Sequence, residues 1–154
     1  MAKQKVNFLA ALLMVAVAVV LQLKFGSVIG YGHDFVLAAL VGAAFFASFS
    51  ELLVLVFFSI FILNWQPGVS VEMLAIFILP VVTFLGRGAL PGKPWFTSVG
   101  FLIFSILLFY MAADFNGLLR NFSEVIISAF FGVLFGVLVF HFLRYFYEVR
   151  EYDW

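Results

Sequence analysis

Few side chains in this chain have chemistry beyond packing, and most of those stand at the edges of apolar runs. Glu51 and Glu72 are the acidic residues nearest to such runs. A charge at the middle of a bilayer costs about 2.5–3.5 kcal/mol on insertion scales, so a buried one would mark a proton or cation path. Both, however, fall at expected helix starts, where a carboxylate pairs with free backbone N–H groups and the positive end of the helix dipole. That capping role is the expectation for each. Asp114 and Arg120 flank a short loop and read as a local ion pair or solvated charges. His141 lies three residues before Arg144, and its ring can reach an interface. It has no second histidine or carboxylate at ligand spacing, so no metal site is expected. No Gly-x-Ser-x-Gly, His-Glu-x-x-His or Walker pattern occurs, and no cofactor or enzymatic activity is expected.

Two stripes of small residues have a different use. Ala39, Ala43 and Ala47 recur every fourth residue in one segment, and Ser128, Gly132 and Gly136 do so in another. Such stripes let helix backbones approach closely, which matters in lipid, where hydrophobicity does not drive helix association. They predict helix packing within this chain or docking of a partner's helix. Pro80 interrupts a further apolar run and frees a carbonyl near Ile76. Broken helices of this kind line transporter sites, and Asn64 and Gln66 are polar enough to join Pro80 around a pocket. Arg87 and Lys93 lie in the loop GRGALPGKPW, where they are expected to meet lipid headgroups or a cytoplasmic partner.

The elements that carry these residues are apolar nearly throughout. Hydrophobic residues make up 66% of the 154-residue chain and charged residues 10%, with mean hydropathy +1.23. A soluble domain carries roughly 25% charged residues, so lipid must face much of this surface. Eight basic residues balance eight acidic ones, which argues against nucleic-acid binding, because that needs a basic patch. The chain contains no cysteine, which excludes disulfides, thiol catalysis and cysteine-based metal sites.

The expected fold is all-α: a polytopic membrane bundle of about six transmembrane helices in a single domain. The segments are 6–23, 35–47, 49–63, 69–85, 96–113 and 122–146. The first resembles a signal peptide, but its 18 apolar residues exceed the usual h-region of about 7–15, so an uncleaved helix is expected. Asp34 can cap the second. Ser48 and Glu51 have the spacing of a capping box, and Asn121, Ser123 and Glu124 repeat that logic before the last. Asn64 to Gly68 form a turn. Residues 35–63 read equally as one helix of roughly 44 Å or as two short ones. Lysine and arginine favour two. With six helices and the N-terminus inside, Lys3, Lys5, Arg87, Lys93, Arg144 and Arg150 face the cytoplasm, and only Lys24 and Arg120 face out. Both termini are then cytoplasmic, in a bacterial inner membrane. Trp65 and Tyr31 fall at the outer interface, and Trp95, Tyr145 and Tyr147 at the inner one.

The layout resembles the rod-shape-determining membrane protein family called MreD. The likeness is one of pattern over most of the chain, and is clearest in residues 49–85. There a hydrophobic helix ends at Asn64, turns through Gln66-Pro67-Gly68, and restarts as an apolar helix that ends at a basic, Gly-rich loop. Asn64 stands where the family often has Asp, and Phe, Val and Leu replace its glycines. The resemblance implies a non-catalytic scaffold of the peptidoglycan-elongation machinery, partnered by MreC or a cell-wall synthase and surrounded by membrane lipids. The implied fold is similar to the six-helix substrate-binding S component of energy-coupling-factor transporters. That makes a vitamin-transporter subunit the alternative.

Overall fold

In the computed structural model, residues 2–29, 34–63, 70–89, 93–113 and 115–147 are described. They form seven helices: α1 (Ala2–Ile29), α2 (Asp34–Ala44), α3 (Phe49–Leu63), α4 (Val71–Gly86), α5 (Pro94–Ala113), α6 (Phe115–Arg120) and α7 (Phe122–Tyr147). No strand occurs among the described residues. The all-α expectation therefore holds. Three helices are long and apolar enough to cross a membrane, over Asn7–Lys24, Pro94–Ala112 and Phe122–Tyr147. The apolar helices α2, α3 and α4 are shorter.

Helix boundaries follow local chemistry. The run from residue 35 to residue 63 is two helices, because the backbone turns between Ala44 and Phe49. Ala47 N–H bonds back to Ala43 O at 2.8 Å to close α2, and Ser48 opens α3. The expected capping box is present: Ser48 N–H donates to Glu51 Oε2 at 2.8 Å, and Glu51 N–H returns to Ser48 Oγ at 3.4 Å. Ser70 caps α4 by accepting from Met73 N–H at 3.2 Å. At α7 the first turn forms through backbone bonds from Glu124 and Val125 N–H to Asn121 O.

Several expected bounds shift. α1 runs from Ala2 to Ile29 and not from 6 to 23, so it extends beyond its apolar core at both ends. α2 ends at Ala44, which leaves Ala47 in the turn. The loop expected between the last two segments contains the six-residue helix α6. Its polar flanks hide it from hydropathy.

Ring and side-chain contacts give the helix directions. Phe49 meets Phe84 and Phe57 meets Phe77, so α3 and α4 are antiparallel. Tyr110 reaches Ser128, while Ser98 and Leu102 lie with Phe140 and Gly136, so α5 and α7 are antiparallel. Gly42 faces Val139 and Gly136 faces Ala38, so α2 and α7 run the same way. Gln22 of α1 meets the start of α2. Successive major helices thus alternate. The starts of α1, α3 and α5 and the ends of α2, α4 and α7 lie at one end of the bundle.

α2 occupies the centre. Val36 to Val41 are fully buried, and Ala43, Ala44 and Ala47 are nearly so. α2 packs on α1, α3, α4, α5 and α7. The outer helices are apolar on both faces. On α4, Ala75, Ile76, Leu79, Pro80 and Thr83 point inward, whereas Leu74, Ile78, Val82 and Leu85 stand exposed one turn apart. On α1, Leu9, Leu13, Val17 and Val20 form the same kind of outward stripe. On α7, Phe130, Phe131, Leu134 and Leu138 do so. Water-soluble proteins rarely expose contiguous apolar surface of this extent, and hydrocarbon satisfies it without cost.

Candidate helix-packing centre

The small-residue stripe of α7 meets its partners inside the chain. Gly136 of α7 lies against α5 and α2: a Cβ there would overlap Leu102 Cδ2 and stand 3.5 Å from Ala38 Cβ. Gly42 of α2 lies against α7, where an added Cβ would stand 3.1 Å from Val139 Cγ1 and 3.8 Å from the carbonyl oxygen of Gly136. Gly132 is buried on the same face as Gly136. Ser128, one turn before it, accepts a hydrogen bond from Tyr110 Oη at 3.2 Å. Gly136 thus seats both α2 and α5, and Ser128 is tied to α5 through Tyr110.

Ala39, Ala43 and Ala47 are buried as well. The α2 residues placed at the α7 crossing, however, are Ala38 and Gly42, one position before Ala39 and Ala43. Sequence reasoning missed Gly42. Its signal was present as a second every-fourth-residue pair, Ala38 and Gly42, but in a helix buried all round, spacing alone does not say which face meets which neighbour.

Both ends of α2 are held by side chains from other helices. Near its start, Val36 N–H donates to Gln22 Oε1 at 3.0 Å. Gln22 is only 4% exposed, so this is an interior polar contact that removes one of the orphan donors of a helix N-terminus. At its end, Arg87 Nη1 donates to Ala44 O at 2.7 Å and to Ala47 O at 3.3 Å. The same guanidinium lies 4.2 Å from the centre of the Phe84 ring. A cation at a helix C-terminus also meets the negative end of the dipole. An 11-residue helix is about 16 Å long, too short to carry its ends to water on both sides of a bilayer. Side chains supply what water would. Arg87 was expected at lipid headgroups or a cytoplasmic partner, and in the structure its guanidinium is engaged with α2. Lys93 is exposed at the start of α5, at the same end of the bundle.

The expected pocket residues are only partly within the described residues. Asn64 and Gln66 lie outside the described residues, and Pro80 is buried in α4. Pro80 cannot donate to Ile76 O. One turn on, Thr83 Oγ1 donates to Leu79 O at 2.9 Å, and on α3 Ser59 Oγ does the same to Leu55 O at 2.9 Å. Both hydroxyls are thus satisfied within their own helices. Glu51 serves the capping box, and its carboxylate lies within electrostatic reach of Tyr147 at the end of α7. Glu72 stands in the first turn of α4. His141 is exposed and lies on a shallow groove between α5 and α7. Among the described residues no group of three or more metal-ligating side chains occurs.

These contacts define an all-helical bundle with three helices able to cross a membrane, organised around a short central helix. No protein-family model, curated protein or solved structure matches the chain.

Proposed function

We propose that this chain is a six-span membrane scaffold, a non-catalytic subunit of the bacterial cell-shape and peptidoglycan-elongation machinery. Residue 2 and residue 147 lie on the cytoplasmic side. The observation that carries the reading is the position of α2. A subunit that holds a solute needs the axis of its bundle for the solute. Here that axis is occupied by Val36 to Val41, all fully buried, on a helix pinned at both ends by Gln22 and Arg87. A filled, pinned centre suits a protein whose task is to present a fixed outer surface to other membrane proteins.

Six spans are supported by two features. The short helices α3 and α4 carry outward apolar stripes like those of the long ones, through Val54, Phe57 and Phe61 and through Leu74, Ile78 and Val82. The alternating helix directions also gather Arg87, Lys93 and Arg144 at the end where α1 begins, and leave Lys24 and Arg120 at the other. That distribution follows the positive-inside rule. The pattern likeness to the MreD family supplies the cellular setting and the expected partner, an MreC-like protein or a cell-wall synthase.

A mild-detergent pull-down of the tagged protein from its own membranes, with mass spectrometry of proteins and small molecules together, tests the reading. Recovery of a periplasmic coiled-coil partner or a cell-wall synthase is the expected result. Recovery of ATPases with a transporter subunit, or of one small molecule at stoichiometric level, overturns it in favour of a solute-binding subunit.

A further inference from the structure

A groove between α5 and α7 adjoins the packing centre and shares Gly136 and Leu102 with it. Trp95, Ser98, Val99 and Leu102 form one wall, and Gly136, Val137, Phe140 and His141 form the other. It is a shallow surface groove that opens to the surroundings. The absence of a side chain at Gly136 sets the floor, because Leu102 drops into the place where a Cβ would be. The middle of the groove is apolar, and no carboxylate lines it.

The rim at one end differs from the rest. Trp95 is 44% exposed there, and His141 is exposed opposite it. Two residues before Trp95 is Lys93, and three residues after His141 is Arg144; both are exposed. Residues three apart on a helix share a face, so Arg144 continues the His141 wall by one turn. Among the described residues, the groove therefore runs from an apolar middle toward the end of the bundle where Lys93 and Arg144 are exposed, at the level where an indole prefers to sit in a bilayer.

We propose that this groove binds an anionic phospholipid, with one acyl chain along Leu102, Val137 and Phe140 and its phosphate between Lys93 and Arg144. The argument is complementarity. A membrane-facing groove is filled by hydrocarbon, and two cations at its mouth select a headgroup with net negative charge over a zwitterionic one. The inference needs the chain to lie in a bilayer, but it does not depend on which proteins the chain holds.

Fluorescence of Trp95 tests it. In the full chain carrying Trp65→Phe and Trp154→Phe, Trp95 is the sole indole. The purified protein is placed in bilayers containing phosphatidylglycerol or phosphatidylcholine brominated on the acyl chain, since bromine quenches a nearby indole. The expected result is quenching at about 25-fold lower mole fraction of the brominated phosphatidylglycerol. Removing each cation should weaken that preference by about fivefold, and Lys93→Gln with Arg144→Gln should abolish it. Arg120→Gln, at the other end of the bundle, should leave it intact. Val137→Phe, which fills the groove, should reduce quenching by both lipids. Equal quenching by the two lipids, or a preference that survives the double substitution, overturns the proposal. So does an absence of quenching by either lipid in protein that elutes as a folded species.

Discussion

Arg87 and Ala44 lie 43 positions apart in the chain, yet the guanidinium of one donates to the carbonyl oxygen of the other at 2.7 Å. This contact ends α2 with a charge from beyond α4 and ties the centre of the bundle to its periphery. Hydrogen bonds that involve a charged group contribute roughly 1.5–3 kcal/mol. Arg87→Ala is therefore expected to lower stability by about 2 kcal/mol, read as a fall in the temperature at which the detergent-solubilised protein loses its monodisperse elution. Arg87→Lys should retain only part of the effect, because an ammonium lacks the planar face that the guanidinium lays over the Phe84 ring. A neutral Arg87→Ala result would mean that α2 needs no cap from outside.

Gln22 is the matching contact at the other end. Gln22→Leu preserves size but leaves Val36 N–H without this acceptor in the interior. An orphaned buried donor costs about 1–3 kcal/mol. The same thermal assay should show the loss, and amide exchange at the start of α2 should quicken while that of α7 changes little.

Gly136 and Gly100 provide a paired test of packing. Gly136→Ala sets a methyl group into Leu102, and overpacking of this kind costs about 1–3 kcal/mol. Leu102→Ala in the same chain should recover part of the loss, since two residues in contact are not additive. At Gly100 a Cβ would meet nothing within 4 Å. Gly100→Ala should thus be neutral or gain up to about 1 kcal/mol from helix propensity. If Gly136→Ala is as harmless as Gly100→Ala, the close approach of α5 and α7 is not a requirement of the fold.

Single cysteines decide between six spans and three, because the chain has none of its own. Ala89 and Asn116 are both exposed. With six spans, Ala89→Cys is cytoplasmic and reacts with a membrane-impermeant maleimide only after permeabilisation, whereas Asn116→Cys reacts in intact cells. With α1, α5 and α7 as the only spans and the start of α1 inside, the two positions exchange behaviour. The labelling pattern of the pair therefore separates the alternatives in one experiment.

Much of the architecture was legible because it depends on local chemistry. The box between Ser48 and Glu51 is a contact across three residues, so spacing alone reveals it, whereas the run 35–63 still read equally as one helix or two. The Gly-rich stretch after α4 reads as a connection for the same reason. α6 was not legible: it is six residues long, and nothing in its polar flanks marks a helix. The contact of Arg87 with α2 was not legible for an opposite cause. A basic residue in a short loop usually meets solvent or headgroups, and only the fold brings the end of α2 within its reach.

Composition and order along the chain thus determined an all-helical, lipid-seeking protein with small-residue stripes, since apolar content and turn chemistry act over a few residues whatever the rest of the chain does. Tertiary structure alone decided which faces those stripes present. Ala38 and Gly42 sit at the close approach to α7, a placement that spacing could not give, because α2 is apolar on every side and its rotation is set by neighbours far away in sequence. The same is true of Gln22, Arg87 and the groove beside Gly136. Each joins residues from different helices, and in lipid the close fit of one helix against another, more than the hydrophobicity of either, selects the arrangement.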